Sequence, residues 1–238
     1  MINDIRYDPT LALKRWVGYF DLLGMKDLYK SGTHISIFVA LSNAIEKFQD
    51  RVTAWPNVGY VWFSDTFVVY TGDDSAESFG AIDSISEWFC YFLIWANIPV
   101  RGAISCDVLY ADREYDLFFG EGLVEAYEYG EAQDWIGLIL CPSATERLKH
   151  LGLPPEERLY YTYAEIPFSK RPKELVRKLP ACIIGNWVGK SPNDQNPIIE
   201  KLNQMKERVI DEVIRSKYDR TIKFLNDNKR FVVSNSNR

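Results

Sequence analysis

The chain has 238 residues, 47% of them hydrophobic and 14% aromatic, which suffices for a sizeable core in one compact domain. Its net charge of -5 provides no basic footprint, so nucleic acid and acidic membrane surfaces are not expected partners, and a small anionic ligand would need local cations. Cys90, Cys106, Cys141 and Cys182 are dispersed in apolar runs without a CxxC pair, which argues against structural zinc and for buried thiols in a reducing compartment.

Met1 is followed by Asn3, Asp4, Arg6 and Asp8, unlike a secretory signal, and the longest apolar run, 88–96, is too short to span a bilayer; a cytoplasmic location is expected. The apolar, aromatic run over 16–21 predicts a strand ending in Asp21. Residues 35–55 carry helical spacing through Ile37, Leu41, Ile45, Phe48 and Val52, and Pro56 stops that helix. Two runs rich in Val, Phe, Tyr and Trp, 58–63 and 66–70, predict a hairpin whose tip, Ser64-Asp65, is unusually polar. A helix over 75–97 begins at a Ser75 cap and is apolar all round in its second half, so it is expected to pack on two sides before Pro99 ends it. A strand pair over 100–110 and 115–119, a helix over 120–133 and a buried strand over 135–140 follow.

The order βαββαββαβ, with helices returning to one face, predicts an α+β fold with a ferredoxin-like βαββαβ core and additional strands. Weaker strand patterns cover 159–166 and 181–187. Pro197 opens a long amphipathic helix to about residue 224, with Ile198, Leu202, Met205, Val209 and Val213 on one stripe that reads as core, with a dimer seam the alternative. One domain over 1–238 is expected, with a core over 14–142, an extension over 143–238 and a disordered tail at 234–238.

Two acids stand out. Asp21 directly follows apolar strand residues and precedes Leu22-Leu23-Gly24; Asp65 sits at a hairpin tip between apolar strands. Burying such an acid is unfavourable unless it is paired, hydrogen-bonded or metal-bound. Taken singly, Asp21 reads as a helix N-cap and Asp65 as a turn residue bonding its own backbone. In a ferredoxin-like sheet both emerge at one edge.

These segments resemble the catalytic domain of the class III nucleotide cyclases, with coverage over about 16–140. The carriers are Phe20-Asp21-Leu22-Leu23-Gly24-Met25, Phe63-Ser64-Asp65-Thr66-Phe67-Val68-Val69 and Val100-Arg101-Gly102-Ala103-Ile104-Ser105; Tyr115 to Gly120 is similar to the family's Tyr-Asp…Gly stretch. The resemblance implies two Mn²⁺ or Mg²⁺ ions per active site, with Asp21, Asp65 and the Leu22 carbonyl as ligands, which suits ions that prefer hard oxygen donors. It also implies that the amides of Leu23 and Gly24 meet phosphate oxygens and that Arg101 takes the charge of the leaving pyrophosphate. The alternative for Arg101 is a sheet-rim pair with Asp107 or Glu121.

Gly120-Glu121-Gly122-Leu123-Val124-Glu125-Ala126-Tyr127-Glu128 is similar to a helix of the bacterial Pycsar pyrimidine cyclases. That resemblance implies UTP, favoured over CTP, as substrate, a cyclic nucleotide read by a separate effector protein in anti-phage defence, and a homodimer with active sites at the interface. Tyr60 and Asp116 would then reach the base bound at the partner protomer's metal site. Departures accompany the likeness. The family's Asn and Arg on this helix correspond to Val124 and Glu128, and Gly59-Tyr60-Val61-Trp62 lacks the family's base-reading Lys. Tyr60 could narrow a base pocket or simply pack within its strand.

A catalytically degenerate cyclase-like domain that binds nucleotide or acts in dimerisation is the alternative, supported by the missing Asn and Arg. A palm-type nucleotidyltransferase is disfavoured by the acidic charge. His34 and His150 are the only histidines and offer little for a nucleophile or zinc site. Asp73-Asp74, Asp112, Asp116 and 131–134 read as solvated turns, and the cations over 170–178 as a solvated loop rather than an anion site.

Overall fold

Strand β1 (Ala12–Leu22) holds the middle of the main sheet in the computed structural model, which describes residues 12–25, 34–157, 160–169, 175–185, 188–189 and 196–231. Its alternation sends Trp16, Phe20 and Leu22 to one face and Val17, Tyr19 and Asp21 to the other. Helix α1 (His34–Val52), the hairpin strands β2 (Val58–Phe63) and β3 (Thr66–Thr71), helix α2 (Ala76–Trp95) and β4 (Val100–Asp112) complete the βαββαβ core. Beyond it come β5 (Leu117–Phe119), helix α3 (Glu121–Ala132), β6 (Leu138–Leu140), helix α4 (Pro142–His150), β7 (Tyr161–Glu165), β8 (Lys178–Cys182), β9 (Val188–Gly189), helices α5 (Pro197–Glu207) and α6 (Glu212–Asp227), and β10 (Arg230–Phe231).

The sheet order is β2-β3-β1-β4-β6-β8-β7, with β5 paired to the far end of β4. The first four strands have the ferredoxin-like order. Strands β6, β8 and β7 then extend the same sheet with residues from both sides of position 142. β1 pairs antiparallel with β3 and, over its whole length, with β4, from Ala12↔Tyr110 to Leu22↔Val100. Gly102 makes that pairing close: a Cβ there would lie 2.6 Å from the Phe20 ring, which occupies the space a side chain would take.

Helices α1 and α2 cover the Phe20 face. Phe48, Phe67 and Phe89 pack there with centroids 4.7 Å (Phe48 to Phe67) and 4.6 Å (Phe67 to Phe89) apart, and each such pair adds about 0.5–1.5 kcal/mol beyond its buried area. Ser75 caps α2 as expected, accepting from the Ser78 amide, and α2 meets both the sheet and α5. Helix α3 lies on the opposite face, over Val17, Tyr19 and Leu109 through Ala126, so the expectation of helices on one face fails at this element.

The C-terminal helix is two helices. Asp211 caps α6 by accepting from the amides of Val213 and Ile214, so the chain turns after Glu207; Ile198, Leu202 and Met205 are buried, whereas Val213 is 68% exposed. Helix α4 was not foreseen, β6 starts three residues later than expected, and the strand expected over 181–187 begins at Lys178. The 234–238 tail, residues 1–11, Leu159, Lys170 and Trp187 lie outside the described residues. All four cysteines are buried free thiols, and no described helix is long and apolar enough to cross a membrane.

Candidate active site

Register places four side chains in one row across the sheet: Phe63 opposite Thr66, Thr66 opposite Asp21, and Asp21 opposite Arg101. Residues directly opposite each other share a face, so this row runs along one edge on the side away from α1 and α2. Asp65 follows Ser64 at the β2–β3 tip, where Ser64 takes the left-handed φ of 56° that a tight hairpin demands. The Asp65 carbonyl accepts from the Leu22 amide at 2.9 Å, which ties the tip to the end of β1. Both acids therefore emerge together.

Asp21 is neither an N-cap nor free. Its Oδ2 accepts from Arg101 Nε at 2.8 Å and lies 2.7 Å from Arg101 Nη2. Burial pushes its carboxyl up to about 6 despite the opposing pull of Arg101, and the charges of Glu131 and Asp65 act in the same direction as burial. Asp21 thus sits in a locally over-negative setting.

Arg101 has more partners than the sequence suggested. Nη2 also meets Glu131 Oε2 at 3.0 Å, and Nη1 donates to the carbonyls of Glu131 and Gln133 at 2.7 and 2.8 Å. With Nε and Nη2 on Asp21, all five N–H donors of the guanidinium have acceptors inside the protein. A pyrophosphate contact requires one of these to be exchanged. The rim alternative is corrected in its partners: Asp107 Oδ1 accepts from the Val108 amide, and Arg101 pairs with Asp21 and Glu131 rather than with Asp107 or Glu121.

The expected phosphate cradle is also altered. The Leu23 amide donates to the Pro99 carbonyl at 2.8 Å, so it is committed to joining β1 and β4, and Gly24 follows in a turn at φ 74°. Tyr60 lies on the face opposite Asp21, with its ring 5.1 Å from Phe48 and its hydroxyl accepting from Gln49 Nε2 at 2.7 Å. Asp116 is exposed at φ 51° in the β4–β5 turn, at the other end of β4 from Arg101 and roughly 35 Å away at ordinary strand rise. The structure brings together Asp21, Asp65, Leu22 and Arg101 and keeps Tyr60 and Asp116 apart from them. Val124 and Glu128 lie exposed on the outer side of α3.

Three residues were missed. Glu131 is not part of a solvated turn: it lies in the last turn of α3, and the Tyr19 hydroxyl donates to its Oε1 at 3.1 Å. Tyr127, one helical turn earlier, meets the Tyr19 ring edge-on at 5.4 Å, and a Cβ at Gly130 would lie 2.6 Å from that ring. Gln133 donates to the Gly102 carbonyl at 2.9 Å and accepts from Trp135 Nε1 at 2.7 Å, fixing the chain where it leaves α3. The four-residue spacing of Tyr127 and Glu131 was the available signal. Asp134 likewise is not a free turn acid, since it pairs with Lys217 at 3.3 Å and Arg220 at 2.6 Å.

The donor set fits a hard divalent cation. Asp21, Asp65 and the Leu22 carbonyl offer oxygen only, and negative charge exceeds the single guanidinium. No group of three or more His, Cys, Asp or Glu side chains placed to hold a metal occurs among the described residues; a pair of acids can hold Mg²⁺ when water and substrate phosphate complete its shell. A cavity of about 300 Å³ lined by Thr145, Lys149, Tyr163 and Lys178 lies elsewhere, between α4 and the β7–β8 pair.

No family model matches the chain, and no curated protein sequence matches it. Solved structures do. The catalytic core of a rhodopsin-guanylyl cyclase with converted specificity, in complex with ATPαS, is 10% identical at a TM-score of 0.57, over 72% of this chain and 96% of that one. The guanylyl cyclase domain of the RhoGC fusion protein from the aquatic fungus Blastocladiella emersonii is 10% identical at 0.54, over 72% and 95%. The adenylyl cyclase CyaB from P. aeruginosa is 12% identical at 0.51, over 71% and 92%. At such identities the likeness is one of fold: the chain has a class III nucleotidyl cyclase-like α+β architecture.

Proposed function

We propose that this protein is a nucleotide cyclase that closes a pyrimidine nucleoside triphosphate, UTP in preference to CTP, to its 3′,5′-cyclic monophosphate and pyrophosphate. The observation that carries this reading is the placement of Asp21 and Asp65 at one edge of a cyclase-like sheet, tied by the Leu22 to Asp65 hydrogen bond at 2.9 Å. In the reaction the ribose 3′-oxygen attacks the α-phosphorus in line, the bond to the pyrophosphate oxygen breaks, and the 3′-hydroxyl proton passes to solvent water. Asp21, Asp65 and the Leu22 carbonyl are the residues that would hold Mn²⁺ or Mg²⁺. Bound there, such ions supply a more acidic 3′-hydroxyl and neutralise triphosphate charge.

The chain's own residues do the rest. Arg101 opposes the effect of burial on Asp21 and so favours its ionised form. Asp65 is held at a fixed offset from Asp21 by its backbone. Phe63 stands 79% exposed at the end of the row, two strand spacings or about 10 Å from Asp21, where a base extending from the phosphates could stack. The pyrimidine preference and the role of the product, a second messenger for a separate effector in bacterial anti-phage defence, are supported by the likeness of the 120–128 segment to the Pycsar cyclases. A homodimer with shared sites is supported by Leu117, Phe119, Val124 and Tyr127, each about half exposed on β5 and α3.

Incubation of the purified protein with each of the four nucleoside triphosphates and Mn²⁺, followed by assay of cyclic nucleotide and pyrophosphate, tests this reading. No product from any of them, with the fold intact, would overturn it. A second reading, a nucleotide-binding domain without catalysis, is favoured by the internal saturation of Arg101 together with Val124 and Glu128; binding without turnover would support it.

A further inference from the structure

Glu131 lies outside the acid pair to which the cyclase reading assigns the cations, yet it touches the same guanidinium. Arg101 Nη2 bridges the two carboxylates, 2.7 Å from Asp21 Oδ2 and 3.0 Å from Glu131 Oε2. The Glu131 carboxylate is held from both sides, since its other oxygen accepts from the Tyr19 hydroxyl at 3.1 Å. Its side chain is 28% exposed, against 14% for Asp21 and 10% for Arg101, so the trio sits where charges are incompletely screened.

We propose that Glu131 is a positioning residue that shares Arg101 with Asp21 and thereby keeps the Asp21 carboxylate only partly neutralised, able to take a divalent cation. The proposal rests on the metal-dependent reading of the site. An arginine paired to Asp21 alone would cancel its charge and compete directly with the cation. Two carboxylates on one guanidinium leave a net negative charge beside Asp65, and that surplus attracts the cation. The arrangement does not depend on the Glu131 side chain for its shape, because the carbonyls of Glu131 and Gln133 hold Nη1 through the backbone. Charge and scaffold are therefore separable by substitution.

The test is Mn²⁺ binding to the full chain without nucleotide, followed by the electron paramagnetic resonance of the free ion, together with thermal unfolding. Glu131→Gln keeps an acceptor for Arg101 but removes the charge, and it is expected to weaken Mn²⁺ binding about tenfold, a usual effect for a group one shell out from a metal. Its unfolding temperature should shift by only a few degrees. Glu131→Asp, which restores the charge, should recover most of the affinity, and in turnover the Mn²⁺ concentration for half-maximal rate should rise in Glu131→Gln by the same factor as the binding constant. Wild-type Mn²⁺ affinity in Glu131→Gln overturns the proposal. So does equal loss of stability in both variants with no change in affinity, the mark of a purely structural role. Asp21→Asn serves as the control: if it too binds Mn²⁺ like the wild type, the metal reading itself fails and the Glu131 proposal falls with it.

Discussion

Arg101 grips a single oxygen of Asp21: its Nε and Nη2 both reach Oδ2, at 2.8 and 2.7 Å, across a register that sets the two residues directly opposite each other. One carboxylate oxygen, Oδ2, is thus committed to the guanidinium. The same contact explains how an acid can end a buried strand, and it ties the stability of the sheet edge to the charge of the candidate site.

The charge of Asp21 carries a stability penalty. Its folded pKa of about 6 lies above the ordinary 3.8, so between those values the folded protein holds a proton that the unfolded chain has released. Stability is therefore lost as pH rises through this window, by on the order of 1–3 kcal/mol, with the loss complete above it. Asp21→Asn mimics the protonated form and is expected to be more stable than the wild type at pH 8, with the difference closing near pH 4. Denaturant unfolding of the metal-free proteins at both pH values checks this; a gap that does not change with pH contradicts it.

Removing the cation should do the opposite. Arg101→Ala leaves Asp21 and Glu131 facing each other without it, and a loss of about 3–5 kcal/mol is expected at pH 8. The loss should shrink at pH 5, where Asp21 can take a proton. Arg101→Lys should rescue little, because an ammonium cannot reproduce the five-donor fork.

Tyr60 packs on Phe48 and Phe67 with centroids 5.1 and 5.9 Å away, on the face turned from Asp21. Tyr60→Ala should accordingly lower stability by about 2 kcal/mol, while Tyr60→Phe should cost less than about 1 kcal/mol and leave the product profile unchanged. A changed profile in Tyr60→Phe would mean that the hydroxyl reads the base.

Phe63 makes the contrasting prediction. At 79% exposure its loss should change stability by no more than about 0.5 kcal/mol. If the base stacks on it, Phe63→Ala should raise the KM for the triphosphate about tenfold, within the range usual for base stacking on an aromatic ring. An unchanged KM would place the base elsewhere.

The core strands and the acids at their ends were legible because local signals agreed with topology. Alternation over β1, turn residues at Ser64-Asp65 and the Pro and Ser boundaries of α1 and α2 all act within a few residues. The break before α6 was missed because the stripe through Val209 and Val213 continued with helical period, whereas the Asp211 cap made a new start more favourable. Glu131 was missed for a different reason. Its contact with Arg101 depends on α3 crossing the sheet at a particular height, with Gly130 admitting the Tyr19 ring; the four-residue spacing from Tyr127 marks a shared helix face but does not encode that crossing. Arg101 is a candidate in the sequence, but two of its five acceptor contacts are to backbone carbonyls that sequence patterns do not reveal.

Whether Asp21 and Asp65 serve cyclisation is decided by product analysis of the wild type and Asp65→Asn side by side, each given equimolar nucleoside triphosphates and Mn²⁺. Asp65 sits in a turn that a neutral isostere can occupy, so both proteins should fold alike, with unfolding midpoints that nearly coincide. A cyclic pyrimidine nucleotide and pyrophosphate are expected from the wild type and none from the variant, since Asn cannot neutralise a bound cation. Equal product from both proteins, or none from a folded wild type, would contradict that role.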